Sequence, residues 1–291
     1  MIYPVTMSNS CLQPILREIV WQKKLEVEKM QQEMSLASLQ RQLTAAPTVR
    51  DFFTALQQSI YKPSLIAEVR NALLNQDVTI QDFDPLGIAK SYERGGATCI
   101  SVVTDQKFFQ GGFEHLRIIR HRIALPLLCK DFIIDPCQIY LARAAGADAV
   151  LLIAAILTDQ QINNFLRVIH YLGMNAVVEV HNLTELDRVL KLDDVRIISI
   201  NNRSLEDFSV NLSTTQQLMI ARRSHLQNLG ILVVSESGIE TPADLSLMAD
   251  AGINAVLMGD SLLQAGDLEE AVRSLLKSKV PVYKDFVKKG I

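Results

Sequence analysis

Eight short apolar runs, separated by segments with helical periodicity, leave this chain few ways to fold. They are SLIAEV from Ser64, TCISVVTD from Thr98, PLLCKDFI from Pro126, AVLLIAAI from Ala149, AVVEVH from Ala176, IISINN from Ile197, LVVSES from Leu232 and AVLMGD from Ala255. Successive starts lie between 21 (176 to 197) and 35 (197 to 232) residues apart. Several intervening segments carry both helix ends: an N-cap with a first-turn proline at Asp84-Pro85, Asp135-Pro136 and Thr241-Pro242, and glycine stops at Gly95-Gly96, Gly146 and Gly252. Eightfold strand–helix alternation predicts an α/β fold of the (β/α)8 TIM-barrel type. An open doubly wound sheet would carry a glycine-rich turn after its first strand, and residues 70–77 (RNALLNQD) contain no glycine.

At 291 residues, 48% hydrophobic, the chain is long enough for one barrel with an extension. We expect residues 1–60 to form an N-terminal helical extension packed on a barrel of residues 61–291, as one structural domain. Within the extension, Ile15 to Met34 is helical and charged. Trp21, Leu25, Val27 and Met30 suggest an apolar stripe facing the barrel. A formal net charge of −3 argues against nucleic acid as a partner. Cys11, Cys99, Cys129 and Cys137 have neither metal-ligand spacing nor the density of a disulfide framework. With no signal-peptide pattern and no run of 18 apolar residues, the expectation is a cytoplasmic protein without a membrane partner, a monomer or weak homodimer.

In a parallel barrel, chemistry gathers at the carboxyl ends of the strands. The polar residues there are Glu68, Arg70, Lys130, Glu179, Asn201, Arg203, Ser235, Glu236 and Ser237. Glu68 and Arg70 are two apart on one strand and so share a face. Lys130 and Glu179, from different strands, could serve as an ammonium and carboxylate pair for proton transfer. SESG (Ser235 to Gly238) and MGD (Met258 to Asp260) place Gly238 and Gly259 where backbone N–H groups could approach an anion, provided that the Asp260 carboxylate points away. His115, His121, His170 and His225 sit in helical stretches, and His181 with Glu179 would supply two ligands at most. No metal and no cofactor is expected.

These residues lie in blocks that resemble the indole-3-glycerol phosphate synthase family from about Leu12 to Leu275. The blocks include LIAEV at Leu65, SVVTDQKFFQGGFEHL at Ser101, LLCKDFIIDPCQIYLARAAGADAVLLIAAIL at Leu127, VVEVHNLTELDRVL at Val177, INNRSLEDFSVNL at Ile200 and VVSESGI at Val233. The resemblance implies Lys130 as general acid, Glu179 as general base, and Glu68 and Asn201 as orienting groups. It also implies Ser237, Gly238, Gly259 and Asp260 around a phosphate, Arg203 on a carboxylate, and Phe109 against an aromatic ring. The implied partner is a small aromatic carboxylate, phosphorylated or not.

One block departs from the family. Where the family runs from its glutamate into a lysine and a Ser-Pro-Ser loop, this chain has Arg70, Leu73, Leu74 and Asp77, and Ser199 replaces a glycine. A guanidinium stays protonated and clamps anions but does not readily give up a proton, and Leu73 would make the substrate-binding wall more apolar. On these changes the first reading is a specialised cyclase-decarboxylase resembling the scytonemin-pathway branch, acting on an indolic β-keto acid with Arg70 and Arg203 on its carboxylate. The alternative is indole-3-glycerol phosphate synthase chemistry itself. A Schiff-base aldolase using Lys130, or a non-catalytic scaffold, fits the paired Lys130 and Glu179 less well.

Overall fold

The computed structural model describes residues 14–71 and 82–277. Helices α1 (Pro14–Glu33), α2 (Leu36–Ala45) and α3 (Phe52–Gln58) precede the first strand. The chain then alternates: β1 (Ser64–Val69), α4 (Pro85–Gly95), β2 (Cys99–Val103), α5 (Phe113–Arg120), β3 (Leu127–Lys130), α6 (Pro136–Ala145) and β4 (Ala149–Ile153). After a 3-10 turn come α7 (Asp159–Tyr171), β5 (Asn175–Val180), α8 (Leu183–Val189), β6 (Ile197–Asn201), α9 (Ser213–Asn228), β7 (Leu232–Glu236), α10 (Pro242–Ala251), β8 (Ala255–Met258), α11 (Asp260–Leu263) and α12 (Leu268–Lys277). The eight strands are parallel and close in sequence order, β8 pairing back onto β1. The predicted (β/α)8 barrel is therefore the observed one.

The strands read as unbroken apolar runs because both their faces are covered, one by the barrel interior and one by the helical ring. Helix boundaries follow from the predicted caps. Asp135 and Thr241 both form capping boxes, with Gln138 and Asp244, and each helix closes on a left-handed glycine, Gly146 and Gly252.

The extension holds the barrel at both ends. At the amino-terminal end, α3 buries Phe52 and Leu56 completely, the Phe53 N–H donates to Asn175 at the start of β5, and Ser59 hydrogen-bonds Thr98 just before β2. At the carboxyl end, Leu16 and Ile19 of α1 reach the barrel mouth. The inward stripe of α1 differs from the expected one. Leu16, Val20, Lys23 and Val27 are buried, whereas Trp21 is 60% and Leu25 41% exposed, and Met30 is half-buried. The buried set recurs every three to four residues, so it lies on one helical face. A sequence reading passes over that face because a lysine sits at its centre.

Lys23 is accommodated by charge. Its ammonium lies 2.7 Å from Asp105, 2.8 Å from Asp131 and 2.7 Å from Glu26. Burial would lower the lysine's affinity for its proton, but Asp131 and Asp105 outweigh it and raise the pKa above its ordinary value.

Candidate active site

Glu68, Lys130, Glu179 and Asn201, from the carboxyl ends of four strands, line one cavity of about 230 Å3 at the barrel mouth. Lys130 Nζ lies 3.0 Å from Glu68 and 3.3 Å from Glu236, which sits fully buried at the end of β7. Burial opposes the charge on Lys130, but Glu236, Glu68 and Glu179 together raise its pKa. The group is therefore an ammonium at neutral pH, the form a proton donor needs.

The carboxylates are held in different states. Burial alone would push Glu179 up, yet hydrogen bonding and charge from His181, with Lys130 behind them, bring it below the usual carboxylate range. Glu236 moves the other way, raised by burial and by its carboxylate neighbours Glu179 and Glu68 against the pull of Lys130. Facing carboxyl groups in one buried site cannot both ionise freely, and these environments push the pair apart. Glu179 is the ionised member, available to accept a proton. Asn201 orients it: its Nδ2 donates to Glu179 Oε1 at 3.1 Å, while its Oδ1 accepts Ser237 Oγ–H at 2.8 Å and the Arg203 N–H at 2.9 Å.

A second group of residues pairs two guanidiniums with two carboxylates at one corner of the cavity. Arg70 is 5% exposed and pairs with Glu68 at 3.3 Å and with Asp260, whose other oxygen lies 3.9 Å from Arg203. Burial and the neighbouring Arg70 lower the pKa of Arg203, so two guanidinium groups share one corner. The expectation that Asp260 points away is corrected: Arg70 draws its carboxylate inward. Nearby, one glycine is demanded by its backbone conformation and a second leaves room for a side chain. Gly238 has φ +77°, and a Cβ there would sit 2.3 Å from Val210. A Cβ on Gly259 would lie 3.1 Å from Glu68, so its absence lets that carboxylate rest against the end of β8.

Phe109 forms the aromatic wall, stacked on Phe132 with ring centroids 6.4 Å apart. Leu151, Ile153 and Leu257 supply apolar surface around them. Phe109 is positioned by Asp105, whose Oδ1 accepts the backbone N–H of Phe108 and Phe109 at 2.7 and 3.2 Å. That ties the wall to Lys23.

The structure thus brings together Lys130, Glu179, Glu68, Asn201, Arg70, Phe109, Arg203, Ser237, Gly238, Gly259 and Asp260 around one cavity. Leu73, with the rest of the divergent loop, lies outside the described residues. Ser199 is fully buried beside Glu179 in the β5–β6 register. Sequence reading named Glu236 among the strand-end residues without giving it a role, and it placed His181 near a strand end without seeing that both ring nitrogens face carboxylates. It missed Phe132 and the contribution of α1.

An ammonium acid, a carboxylate base, an aromatic wall and paired guanidiniums make a site able to polarise a carbonyl, stabilise a carboxylate or phosphate and move a proton across a bound aromatic molecule. Among the described residues no group of three or more His, Cys, Asp or Glu side chains could hold a metal ion, and no helix is long and apolar enough to cross a membrane.

The comparisons converge on one family. The model of the family described as indole-3-glycerol phosphate synthase matches residues 16–275. A protein of that name from Rippkaea orientalis is 50% identical over 273 residues, covering 94% of this chain and 93% of its own. One from Trichodesmium erythraeum is 53% identical over 262 residues, 90% of this chain and 88% of its own. A third, from Crocosphaera subtropica, is 50% identical over 273 residues, 94% and 93% of the two chains.

Proposed function

The chain belongs to the indole-3-glycerol phosphate synthase family, whose members are ring-closing carboxy-lyases, and we propose that it converts 1-(2-carboxyphenylamino)-1-deoxyribulose 5-phosphate to indole-3-glycerol phosphate. The observation that carries this reading is the pair of Lys130, an ammonium flanked by Glu68 and Glu236, and Glu179, 2.9 Å from His181 Nε2, in one cavity. Lys130 donates a proton to the ketone oxygen as the carboxylate-bearing ring carbon attacks the ketone carbon. The new carbon–carbon bond forms, the carboxylate departs as CO2 and its bonding electrons restore the ring. Lys130, reprotonated by a proton from solvent, then protonates the hydroxyl that leaves as water, while Glu179 takes the proton whose loss creates the indole double bond. Glu68 and Asn201 orient these groups. Arg70 and Arg203 hold the substrate's anions, with Ser237, Gly238, Gly259 and the Asp260 backbone at the phosphate, and Phe109 covers the anthranilate ring.

The names of the relatives support this synthase reading over the specialised-cyclase reading suggested by Arg70 and its loop. One observation still favours the second. Arg70 is internally neutralised by Glu68 and Asp260, an arrangement suited to a substrate with less anionic charge than a phosphate ester, such as an indolic β-keto acid. Parallel assays of the purified protein on the two substrates, following indole fluorescence and CO2 release, decide between them. Turnover of the ribulose phosphate supports the synthase, and turnover of the keto acid alone overturns it.

A further inference from the structure

His181 follows β5 two residues after Glu179, so the two side chains leave the strand on the same side. Its Nε2 lies 2.9 Å from Glu179 Oε1, and its Nδ1 lies 3.1 Å from Glu185 Oε2. The side chain is only 7% exposed. Glu185, in the first turn of α8, does not meet the ring by accident. The His181 backbone N–H donates to the same Oε2 at 2.9 Å, Asn182 Nδ2 donates to the other oxygen at 2.7 Å, and Asn182 caps the Glu185 N–H at 2.9 Å. The carboxylate is thus fixed before the imidazole meets it.

A neutral imidazole has one donor and one acceptor nitrogen, and an acceptor nitrogen opposite a carboxylate oxygen sets lone pair against lone pair. Only the doubly protonated ring donates from Nδ1 to Glu185 while presenting an N–H, and not a lone pair, to Glu179 Oε1 2.9 Å away, a close ion-pair contact that lacks the alignment of a hydrogen bond. The other charged groups facing Glu179 are Lys130 from β3, Glu236 from β7 and Glu68 from β1, with neutral Asn201 from β6. Two of those three are acidic, so without a cation on its outer side Glu179 would share a carboxylate-rich mouth and compete with Glu236 for a proton. Arg188, the nearby cation on α8, is engaged with Asp159 and with the carbonyl oxygens of Ala154 and Leu157. The position is left to His181.

Building on the reading of Glu179 as the base, we propose that His181 is a positioning residue: an imidazolium clamped by Glu185 that keeps Glu179 ionised and aimed into the cavity. Burial weakens the ring's hold on its proton, but the hydrogen bonds to Glu179 and Glu185 raise its pKa to about 10, in keeping with the geometry. Glu185 therefore acts on the reaction without approaching the substrate.

Two measurements on the full chain test this. Imidazole nitrogen NMR of the free protein reads the state of His181 without any substrate. A doubly protonated ring at pH 8 is expected, titrating at lower pH in the Glu185→Gln variant, and a neutral ring in the wild type at pH 7.5 overturns the inference whatever the reaction proves to be. The second is the pH profile of His181→Gln, which keeps a neutral donor near Glu179 but removes the charge. The acid limb of kcat should move up by about one pH unit or more while KM changes less than about threefold, because the proton affinity of Glu179 rises. An unchanged acid limb in that variant, with activity still lost in Glu179→Gln, overturns the positioning role and leaves Glu179 as base. Full activity in Glu179→Gln instead overturns the functional reading beneath it. Should His181→Gln fail to fold, the NMR titration of the wild type and of Glu185→Gln still decides.

Discussion

Lys23 of α1 forms a buried 2.7 Å ion pair with Asp105 at the end of β2, and the other oxygen of that carboxylate accepts the backbone N–H groups of Phe108 and Phe109. The extension is thereby connected to the aromatic wall of the cavity. Removing one partner of a buried pair costs about 3–5 kcal/mol, because the remaining charge is stranded. Lys23→Met should lower unfolding stability by that order in chemical denaturation, and Lys23→Met with Asp131→Asn should lose less than the sum of the two single changes. Additive losses would mean that the two groups are not coupled.

Lys130→Met should reduce turnover by ~10²-fold or more, the usual consequence of losing a positioned general acid. Because the change also leaves the buried Glu68 carboxylate without its ammonium partner at 3.0 Å, stability should fall too, and the activity loss is read on protein shown to be folded. Steady-state kinetics beside a melting curve separate the two, and wild-type turnover in the variant would remove the lysine from the mechanism.

Stability should depend on pH through His181. Its pKa is about 10 in the folded chain and about 6.5 in an unfolded one. The raised value means that the folded state binds the proton more tightly, so this contribution is complete below about pH 6.5 and fades as pH rises toward 10. Glu236, also raised, fades over a lower part of the same range, so the His181 contribution is read as a difference. Denaturation from pH 6.5 to 10 should show wild-type stability falling more steeply than that of His181→Gln. Parallel curves would contradict the clamped imidazolium.

How much of this was legible in the sequence depended on the range of the interaction. The strands and caps are local: Asp135 with Gln138, or Thr241 with Asp244, act within one turn, and the apolar runs report burial directly. The strand-end rule then gathered Lys130, Glu179, Glu68 and Asn201, because a closed parallel barrel brings those ends together whatever the spacing along the chain. Interactions across the fold were not legible. Lys23 looks like a solvated helix lysine until Asp105 and Asp131, more than 80 residues away in sequence, are seen to surround it. Asp260 looks repulsive to an anion until Arg70 neutralises it. The His181–Glu185 pairing spans four residues in an EVHNLTE context and could have been suspected, but only the turn into α8 makes it face Glu179.

Arg70→Ala should raise KM for an anionic substrate by roughly 10- to 150-fold, equivalent to about 1.5–3 kcal/mol for a charge-assisted hydrogen bond. In the synthase reading, restoring the family's residues with Arg70→Lys, Leu73→Ser and Leu74→Pro should increase turnover of the ribulose phosphate. A decrease, together with turnover of an indolic β-keto acid by the wild type, would move the assignment to the specialised cyclase.

Acid–base ring closure by Lys130 and Glu179 in this barrel is read out by single-turnover kinetics with 1-(2-carboxyphenylamino)-1-deoxyribulose 5-phosphate in the wild type, Lys130→Met and Glu179→Gln. The wild type should release one CO2 for each indole formed, and each variant should show a chemical step slower by ~10²-fold or more. No indole from the wild type, or an undiminished rate in either variant, would contradict it.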